Sequence, residues 1–184
     1  MTHTPPTSPT LPSTQFPDLA AQKELLERLG LSTAPDAVFD TIATHMATDT
    51  GFLYGMVNLV LDEQNFIGLH NPPPGSEHPL VTRTMSRDHG WCPAVVKRKR
   101  ALPLPNIHAS PRFSGNHVVD AIGIQAYFGA PLLHPQTGIV LGTVCVVDRH
   151  VHDLQDADRI MNIVKNARDE VISTICRPAD GGTS

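Results

Sequence analysis

The sequence predicts an α+β domain in which helices pack on one face of an antiparallel sheet. Three observations support this. Apolar residues recur at helical spacing near both ends of the chain, strand-like runs occur in pairs joined by turns, and a long irregular segment lies between the pairs. Strands joined by short turns pair antiparallel. Because long loops in compact domains are usually functional, we expect the irregular segment, residues 71–125, to roof a ligand pocket on the free sheet face.

Helical patterns occur at both ends and once in the middle. The first helix is predicted from Asp18, a capping residue, to Gly30, a stop signal. The second begins near Thr33, which forms a capping-box-like pair with Asp36. A short helix covers residues 92–98, and the final, most regular one follows Asp153 to residue 176. The intervening strands are predicted at 52–62, 65–70, 101–104, 126–133 and 139–148.

Two of these strands form the first hairpin, for which Glu63-Gln64 is the predicted tip. The final strands join through residues 134–138, which contain proline and glycine. The domain is expected to span residues 18–176. The Thr/Pro-rich segment 1–17 is predicted to be a disordered tail, and residues 177–184 a flexible one.

Composition excludes several classes of protein. With 184 residues the chain has the length of one domain, and its net charge of −4 provides no basic field for a nucleic acid. No export signal is recognisable, and the apolar runs are too short to cross a membrane. The three cysteines, Cys92, Cys145 and Cys176, are an odd number at wide spacing, which favours reduced thiols in a cytoplasmic protein.

The two closing strands carry the most specific motif. Residues 127–132 read Tyr-Phe-Gly-Ala-Pro-Leu, and residues 141–148 read Leu-Gly-Thr-Val-Cys-Val-Val-Asp after Gly138. Upstream lie Leu-Pro-Leu-Pro-Asn at 102–106 and Pro-Arg-Phe at 111–113. In order and spacing, about residues 20–175 resemble the bacterial GAF domains with the pattern "FYAGAPL…G…LGTLCVID". The resemblance implies a GAF/PAS-like antiparallel sheet and a stand-alone bacterial sensor.

The sequence departs from that branch at two positions near the expected pocket. Asn106 stands where the branch commonly has aspartate, and Gln125 stands where it commonly has arginine. Both departures remove a charge from the edge of the pocket, which puts in doubt any ligand that those charges would hold.

The ligand-binding residues are expected in and after the irregular segment. Aromatic side chains suited to line a pocket, or equally to pack in the core, are Trp91, Phe113, Tyr127 and Phe128. Because side chains alternate along a strand, only one of the last two can face inward. Arginines suited to an anionic ligand, or else to the surface, are Arg83, Arg87 and Arg112, and His117 is a further predicted contact.

Cys92 is the one residue with thiol chemistry to consider. A helix start favours a thiolate, so the sequence allows a reactive or ligand-contacting thiol, although a packed, inert thiol beneath the pocket floor is the favoured interpretation. Cys145, in an apolar strand, is interpreted as a small buried hydrophobe. Free methionine-sulfoxide reductases, which share the GAF fold, have their nucleophile where this chain has Val119. Thiol reduction also needs a resolving partner, and only Cys92 remains, so no enzyme is expected.

Other family ligands have weak support. The Asn-Lys-x-Phe signature of cyclic-nucleotide-binding GAF domains is absent, and Pro93 follows Cys92 where a covalent bilin would require histidine. A haem or metal held by His70, His89 or His117 stays an alternative, against the interpretation that these are exposed loop residues. No cofactor is required by the sequence.

The sequence therefore predicts a sensory or regulatory module that binds a small molecule and acts in trans on a signalling protein. No catalytic or DNA-binding segment is recognisable in the chain. A homodimer is expected through the helices at 18–30 and 153–176. The alternatives are a thiol-based redox sensor using Cys92, a haem or metal sensor, and a scaffold without a ligand.

Overall fold

The computed structural model of the chain describes residues 18–177. The predicted tails, 1–17 and 177–184, lie outside the described residues except for residue 177. The helices are α1 (Leu19–Leu29), α2 (Ala37–Thr50), α3 (Cys92–Arg98), α4 (Pro111–Ser114), α5 (His117–Ile122) and α6 (Ala157–Ile175). The strands are β1 (Tyr54–Val60), β2 (Glu63–His70), β3 (Thr84–Ser86), β4 (Leu102–Leu104), β5 (Ala126–Leu133) and β6 (Val140–Asp148).

The six strands form one antiparallel sheet in the order β3-β2-β1-β6-β5-β4. This confirms the predicted α+β fold with its two hairpins, β1/β2 and β5/β6. The two long apolar strands β1 and β6 pair at the centre, where every residue of both is buried. Strand β3 was not predicted, because its three residues alternate between exposed and half-buried and so carry no apolar run.

Helices α1, α2 and α6 cover one face of the sheet. Their apolar stripes bury Leu25, Phe39 and Val164 against alternate residues of the strands, among them Val57 and Phe128. Helix α6 is the most amphipathic of the three and contacts β5, β6 and α2. This layer forms the larger of the two apolar cores within the described residues.

Three local predictions about turns and helix starts were wrong. Helix α2 begins after Asp36, whose carboxylate accepts a hydrogen bond from the Val38 amide at 2.8 Å, rather than near Thr33. The tip of the first hairpin is Leu61-Asp62 rather than Glu63-Gln64. Both errors have one cause: several neighbouring residues suit a cap or a turn, and tertiary contacts choose among them.

The third error concerns the final helix. Asp153 precedes a 3₁₀ turn over Leu154–Asp156, and the α-helix itself begins at Ala157. Neither Asp153 nor Asp18 makes a side-chain capping hydrogen bond. In contrast, Gly30 ends α1 in the left-handed conformation, with φ of 65°, as its position predicted.

The opposite face of the sheet is covered by the segment between β2 and β5. We call the part from residue 81 to residue 122 the roof. It contains α3, a 3₁₀ turn at Ile107–Ala109 and the short helices α4 and α5, and it includes the two edge strands of the sheet, β3 and β4. The roof and the sheet enclose the second apolar core, which includes Tyr54, Trp91 and Ile124.

None of the helices in residues 18–177 combines the length and the hydropathy that a membrane crossing requires.

Candidate functional site

A cavity of about 50 Å³ lies between the sheet and the roof. The sheet contributes Met56 from β1, Phe66 from β2, Tyr127 from β5, and Cys145 and Val147 from β6. The roof contributes Val81, Met85, Gly90, Trp91, Cys92, Val118 and Ile122. These residues are apolar, aromatic or sulfur-containing, and among those described none that lines the cavity is charged.

The size of the cavity restricts what fits without movement. An apolar protein cavity of about 150 Å³ accepts benzene, and about 15 Å³ accepts one water molecule. The observed 50 Å³ lies between these limits. Two of the lining side chains, Met56 and Met85, are unbranched and adaptable. Val118 and Ile122 of α5 are only half-buried, so the roof side of the cavity has room to move outward.

The polar atoms of the site cluster around the sulfur of Cys92, the first residue of α3. The Thr143 hydroxyl donates to Cys92 Sγ at 3.1 Å, and Tyr127 Oη lies 3.3 Å from the same sulfur. Cys145 Sγ is 3.7 Å from Cys92 Sγ and also 3.7 Å from Met56 Sδ. The structure thus brings together two thiols, a thioether and two hydroxyls from four elements of the fold.

These contacts shift the pKa values of the two thiols in opposite directions. Hydrogen bonding from Cys145, Thr143 and Tyr127 lowers the pKa of Cys92, although burial acts in the opposite direction. The interaction with Cys92, together with burial, raises the pKa of Cys145 well above that of an ordinary thiol. Burial likewise raises the pKa of Tyr127. The first proton of this group therefore leaves Cys92, and Cys145 and Tyr127 stay protonated as hydrogen-bond donors.

Buried amides attach the roof to the sheet. Gln64 Nε2 of β2 donates to the carbonyls of Ser86 at 2.8 Å and His89 at 2.6 Å. Its Oε1 accepts from Asn58 Nδ2 of β1 at 2.9 Å. Asn116 binds both backbone groups of Gly90, at 3.0 and 2.7 Å. Gln64 therefore attaches the roof to the sheet, and the half-buried Asn116 joins two parts of the roof to each other.

The sequence prediction did not include these amides or Thr143. One signal was present: Asn58 interrupts an otherwise apolar strand, and a polar residue in such a position needs a buried partner. The sequence did not identify that partner, because Gln64 lies on the other strand of the hairpin, beyond the turn.

Two of the four predicted aromatic residues line the cavity, Trp91 and Tyr127, with ring centroids 5.4 Å apart. Phe128 points to the helix face, where its ring meets Phe52 edge-to-face at 5.8 Å. Phe113 does not line the cavity but is half-buried against the second apolar core, and its carbonyl accepts from Trp91 Nε1 at 3.1 Å. The alternation of side chains along β5 accounts for the separation of the neighbours Tyr127 and Phe128.

The three arginines point away from the cavity. Arg83 forms a bidentate ion pair with Asp40 of α2, in which Nη1 donates to Oδ1 at 2.7 Å and Nη2 donates to Oδ2 at 3.1 Å. Arg87 donates to the carbonyl of Leu61. The guanidinium of Arg112 lies 5.4 Å from the ring centroid of Phe113 on the outer surface. The cavity therefore has no cationic group for an anionic ligand among the residues described.

The Asp40–Arg83 pair predicts a pH-dependent contribution to stability. Hydrogen bonds from Arg83 hold the pKa of Asp40 below its ordinary value, so the pair stabilises the fold above the unfolded-state pKa and is lost as pH falls through the folded-state pKa. About a third of each side chain is exposed, 34% and 38%, so Asp40→Asn should cost about 0.5–1 kcal/mol at pH 7.

Urea denaturation at pH 7 and below pH 3 tests this. The difference between Asp40→Asn and the wild type should shrink at the lower pH, where the wild-type carboxyl is protonated too. Asp49→Asn, on the same helix but without an ion pair among the described residues, is the control. A penalty of equal size at both pH values would contradict the assignment.

The predicted histidines lie outside the cavity. The rings of His89 and His117 stack on each other with centroids 4.3 Å apart, and His117 is exposed. His70 Nδ1 lies 3.2 Å from Thr44 Oγ1 of α2. Within residues 18–177, no group of three His, Cys, Asp or Glu side chains is arranged to hold a metal ion. The lining of the cavity contains no histidine that could serve as an axial haem ligand.

A six-stranded antiparallel sheet with helices on one face and a roofed cavity on the other is the architecture of the GAF fold. The family model named "GAF domain" matches residues 34–164, and the chain belongs to this family. No curated protein matches its sequence.

Solved structures of the same fold come from proteins with different roles. The GAF domain of a phosphoenolpyruvate-protein phosphotransferase from Acinetobacter is 13% identical, with a TM-score of 0.58 over 94% of this chain and 99% of that one. The free methionine-R-sulfoxide reductase of Neisseria meningitidis is 15% identical, with a TM-score of 0.53 over 94% and 99%. The PixJ GAF domain of Thermosynechococcus elongatus is 12% identical, with a TM-score of 0.53 over 83% and 89%. At these identities the likeness concerns the fold alone.

Proposed function

We propose that this chain is a sensory module whose cavity binds a small, uncharged and mainly apolar molecule, and that it reports occupancy to a separate signalling protein. The observation that carries the proposal is the cavity between sheet and roof, whose wall is apolar. Among its structural neighbours, the PixJ domain is described as a blue-light absorbing form.

The lining of the cavity supports an uncharged ligand. A charged group placed in an apolar cavity loses its hydration without an opposite charge to replace it, which is strongly unfavourable. The arginines that could have supplied that charge are bound elsewhere, Arg83 to Asp40 and Arg87 to a backbone carbonyl. The Tyr127 hydroxyl is already paired within the wall, 3.3 Å from Cys92 Sγ, so the wall presents carbon and sulfur atoms to a ligand.

The two faces of β5 and β6 supply a route for the signal. Tyr127 and Cys145 face the cavity, while their neighbours Phe128 and Val146 pack under the helices. A ligand larger than 50 Å³ must displace either roof side chains or these strands. Displacement of the strands would shift α6, because α6 packs directly on β5.

Several further features belong to this proposal. We infer that the chain forms a homodimer through the outward faces of α1 and α6, that it acts in the cytoplasm, and that it has no catalytic activity of its own. The apolar stripes of both helices are largely used in the core, so the dimer contact would be made by their remaining surfaces. A native mass spectrum of the purified protein gives the oligomeric state and reveals any small molecule retained from the cell.

Trp91 provides a direct test of ligand binding, because it lines the cavity and is the only tryptophan of the sequence. Benzene and short-chain alcohols are suitable probes, and they should change the Trp91 fluorescence in a saturable way. Val147→Phe adds a larger side chain at the cavity from a rigid strand, and it should weaken probe binding by at least about tenfold.

Val38→Phe is the matched control, since Val38 is 54% exposed on α2 and far from the roof side of the sheet. It should bind the probe as the wild type does. Circular dichroism establishes that both variants are folded. If folded Val147→Phe binds the probe as tightly as the wild type, the cavity is not the binding site.

A further inference from the structure

Two buried thiols from distant parts of the chain meet at the cavity. Cys92 begins α3 in the roof, and Cys145 lies in the central strand β6. Their sulfurs are 3.7 Å apart, although 53 positions separate them in the sequence. Both side chains are almost completely shielded, with 4% and 1% exposure, yet both line the cavity. A molecule that enters the cavity therefore reaches both sulfurs.

We propose that Cys92 and Cys145 form a reversible intramolecular disulfide when a small hydroperoxide enters the cavity. This oxidation site goes beyond the binding of an apolar ligand and does not depend on it. The sequence left Cys92 as a thiol without a resolving partner; the fold supplies that partner from β6.

The surroundings of the two thiols differ, and this difference assigns them different roles in the oxidation. Cys92 Sγ lies within 3.1 Å of the Thr143 hydroxyl and 3.3 Å of the Tyr127 hydroxyl, and hydroxyl donors stabilise a thiolate. The pKa shifts agree with this: the pKa of Cys92 is lowered and the pKa of Cys145 is raised. Cys92 is the attacking thiolate, and Cys145 is the protonated resolving thiol.

The reaction balances with the peroxide as oxidant. The Cys92 thiolate attacks one peroxide oxygen, the O–O bond breaks, and a sulfenic acid forms on Cys92. The departing hydroxide or alkoxide takes up the proton that Cys92 had released and leaves as water or alcohol. Cys145 Sγ then attacks Cys92 Sγ, the S–O bond breaks, and the Cys145 proton leaves with that oxygen as water. Two thiols have lost two electrons and two protons, and a dithiol reductant reverses the change.

The distance still to be closed is small. A disulfide bond is about 2.05 Å long, so the sulfurs must approach by roughly 1.7 Å from their 3.7 Å separation. Cys145 is held within the sheet, whereas Cys92 belongs to the seven-residue helix α3 of the roof. The adjustment is therefore expected at the start of α3, next to Trp91, whose fluorescence should change on oxidation.

The test treats the fully reduced protein with hydrogen peroxide, then unfolds it in the presence of an alkylating reagent and measures the intact mass. The reduced chain should take up three alkyl groups, one for each cysteine. The oxidised chain should take up one, on Cys176, which packs on the helix face of the sheet. Peptide mapping should then recover a Cys92–Cys145 linked pair, and reduction should restore all three sites.

Three variants separate the roles. Cys176→Ser should form the disulfide as the wild type does. Cys145→Ala should form none and should accumulate a sulfenic acid on Cys92 that dimedone traps, whereas Cys92→Ala should leave Cys145 reduced. If an alanine variant fails to fold, the wild-type peptide map decides the question alone.

The proposal is overturned if the wild type keeps three free thiols at a peroxide dose that oxidises free cysteine in the same time. It is also overturned if the linked pair contains Cys176 or joins two chains. Benzene binding to the reduced protein is measured separately, so that failure of the ligand proposal and failure of this one are distinguishable.

Discussion

Gly142→Ala is expected to destabilise the domain by more than about 3 kcal/mol. Gly142 lies in β6 opposite Leu59 of β1. A Cβ atom there would run into the carbonyl group of Asn58, with its carbon only 2.8 Å away, and would be 2.9 Å from the Cα of Leu59. The obstacle is backbone rather than a flexible side chain. Because β1 is paired on its other edge with β2, it cannot move aside without breaking a second ladder.

Urea denaturation of the variant and the wild type measures the effect. Gly115→Ala is the control: Gly115 has a φ of −88°, and nothing lies within 4 Å of the position that its Cβ would take. That substitution should change the free energy of unfolding by less than about 1 kcal/mol, in either direction. A Gly142→Ala penalty as small as that of Gly115→Ala would mean that the β1–β6 pairing is looser than described.

The same glycine illustrates which part of the fold the sequence could predict. A glycine inside an apolar strand, as in the Leu-Gly-Thr-Val-Cys motif, is typical of a close backbone approach, and the alternating and apolar runs located the strands. The approaching group, the carbonyl of Asn58, belongs to a strand more than eighty positions earlier. Periodicity is a local property and carries no information about such a partner.

The same limitation applies to the site. Alternation predicted that only one of Tyr127 and Phe128 faces the cavity, but the choice depends on which sheet face carries the helices. Arg83 looked available for an anion because its partner, Asp40, lies on α2 far back in the sequence. Cys145 is buried, as the sequence predicts, but its neighbour Cys92 could not be predicted because that thiol comes from the roof. In each case the missing information was how elements distant in the sequence pack together.

Gln64→Leu is the second substitution expected to have a large effect, about 2–4 kcal/mol on the free energy of unfolding. Leucine has a similar volume but no hydrogen-bonding groups. The His89 carbonyl would lose its 2.6 Å bond, and the Asn58 amide would lose its acceptor at 2.9 Å. Ser86 keeps a bond from the His89 amide at 3.1 Å, so its carbonyl is less affected. Buried groups left without partners account for the loss.

The effect should extend to the cavity, because Gln64 attaches the backbone just before Gly90 and Trp91 to the sheet. Acrylamide should therefore quench Trp91 fluorescence more strongly in folded Gln64→Leu than in the wild type. Asn65→Leu is the control, since that amide makes only a local bond to the Glu63 carbonyl at 3.1 Å. If Gln64→Leu is destabilised while Trp91 stays as protected as in the wild type, the amide pair stabilises the sheet without holding the roof closed. If both quantities change together, the buried amides hold the roof over the cavity, and access of small molecules to Trp91 is set by how readily their hydrogen bonds open.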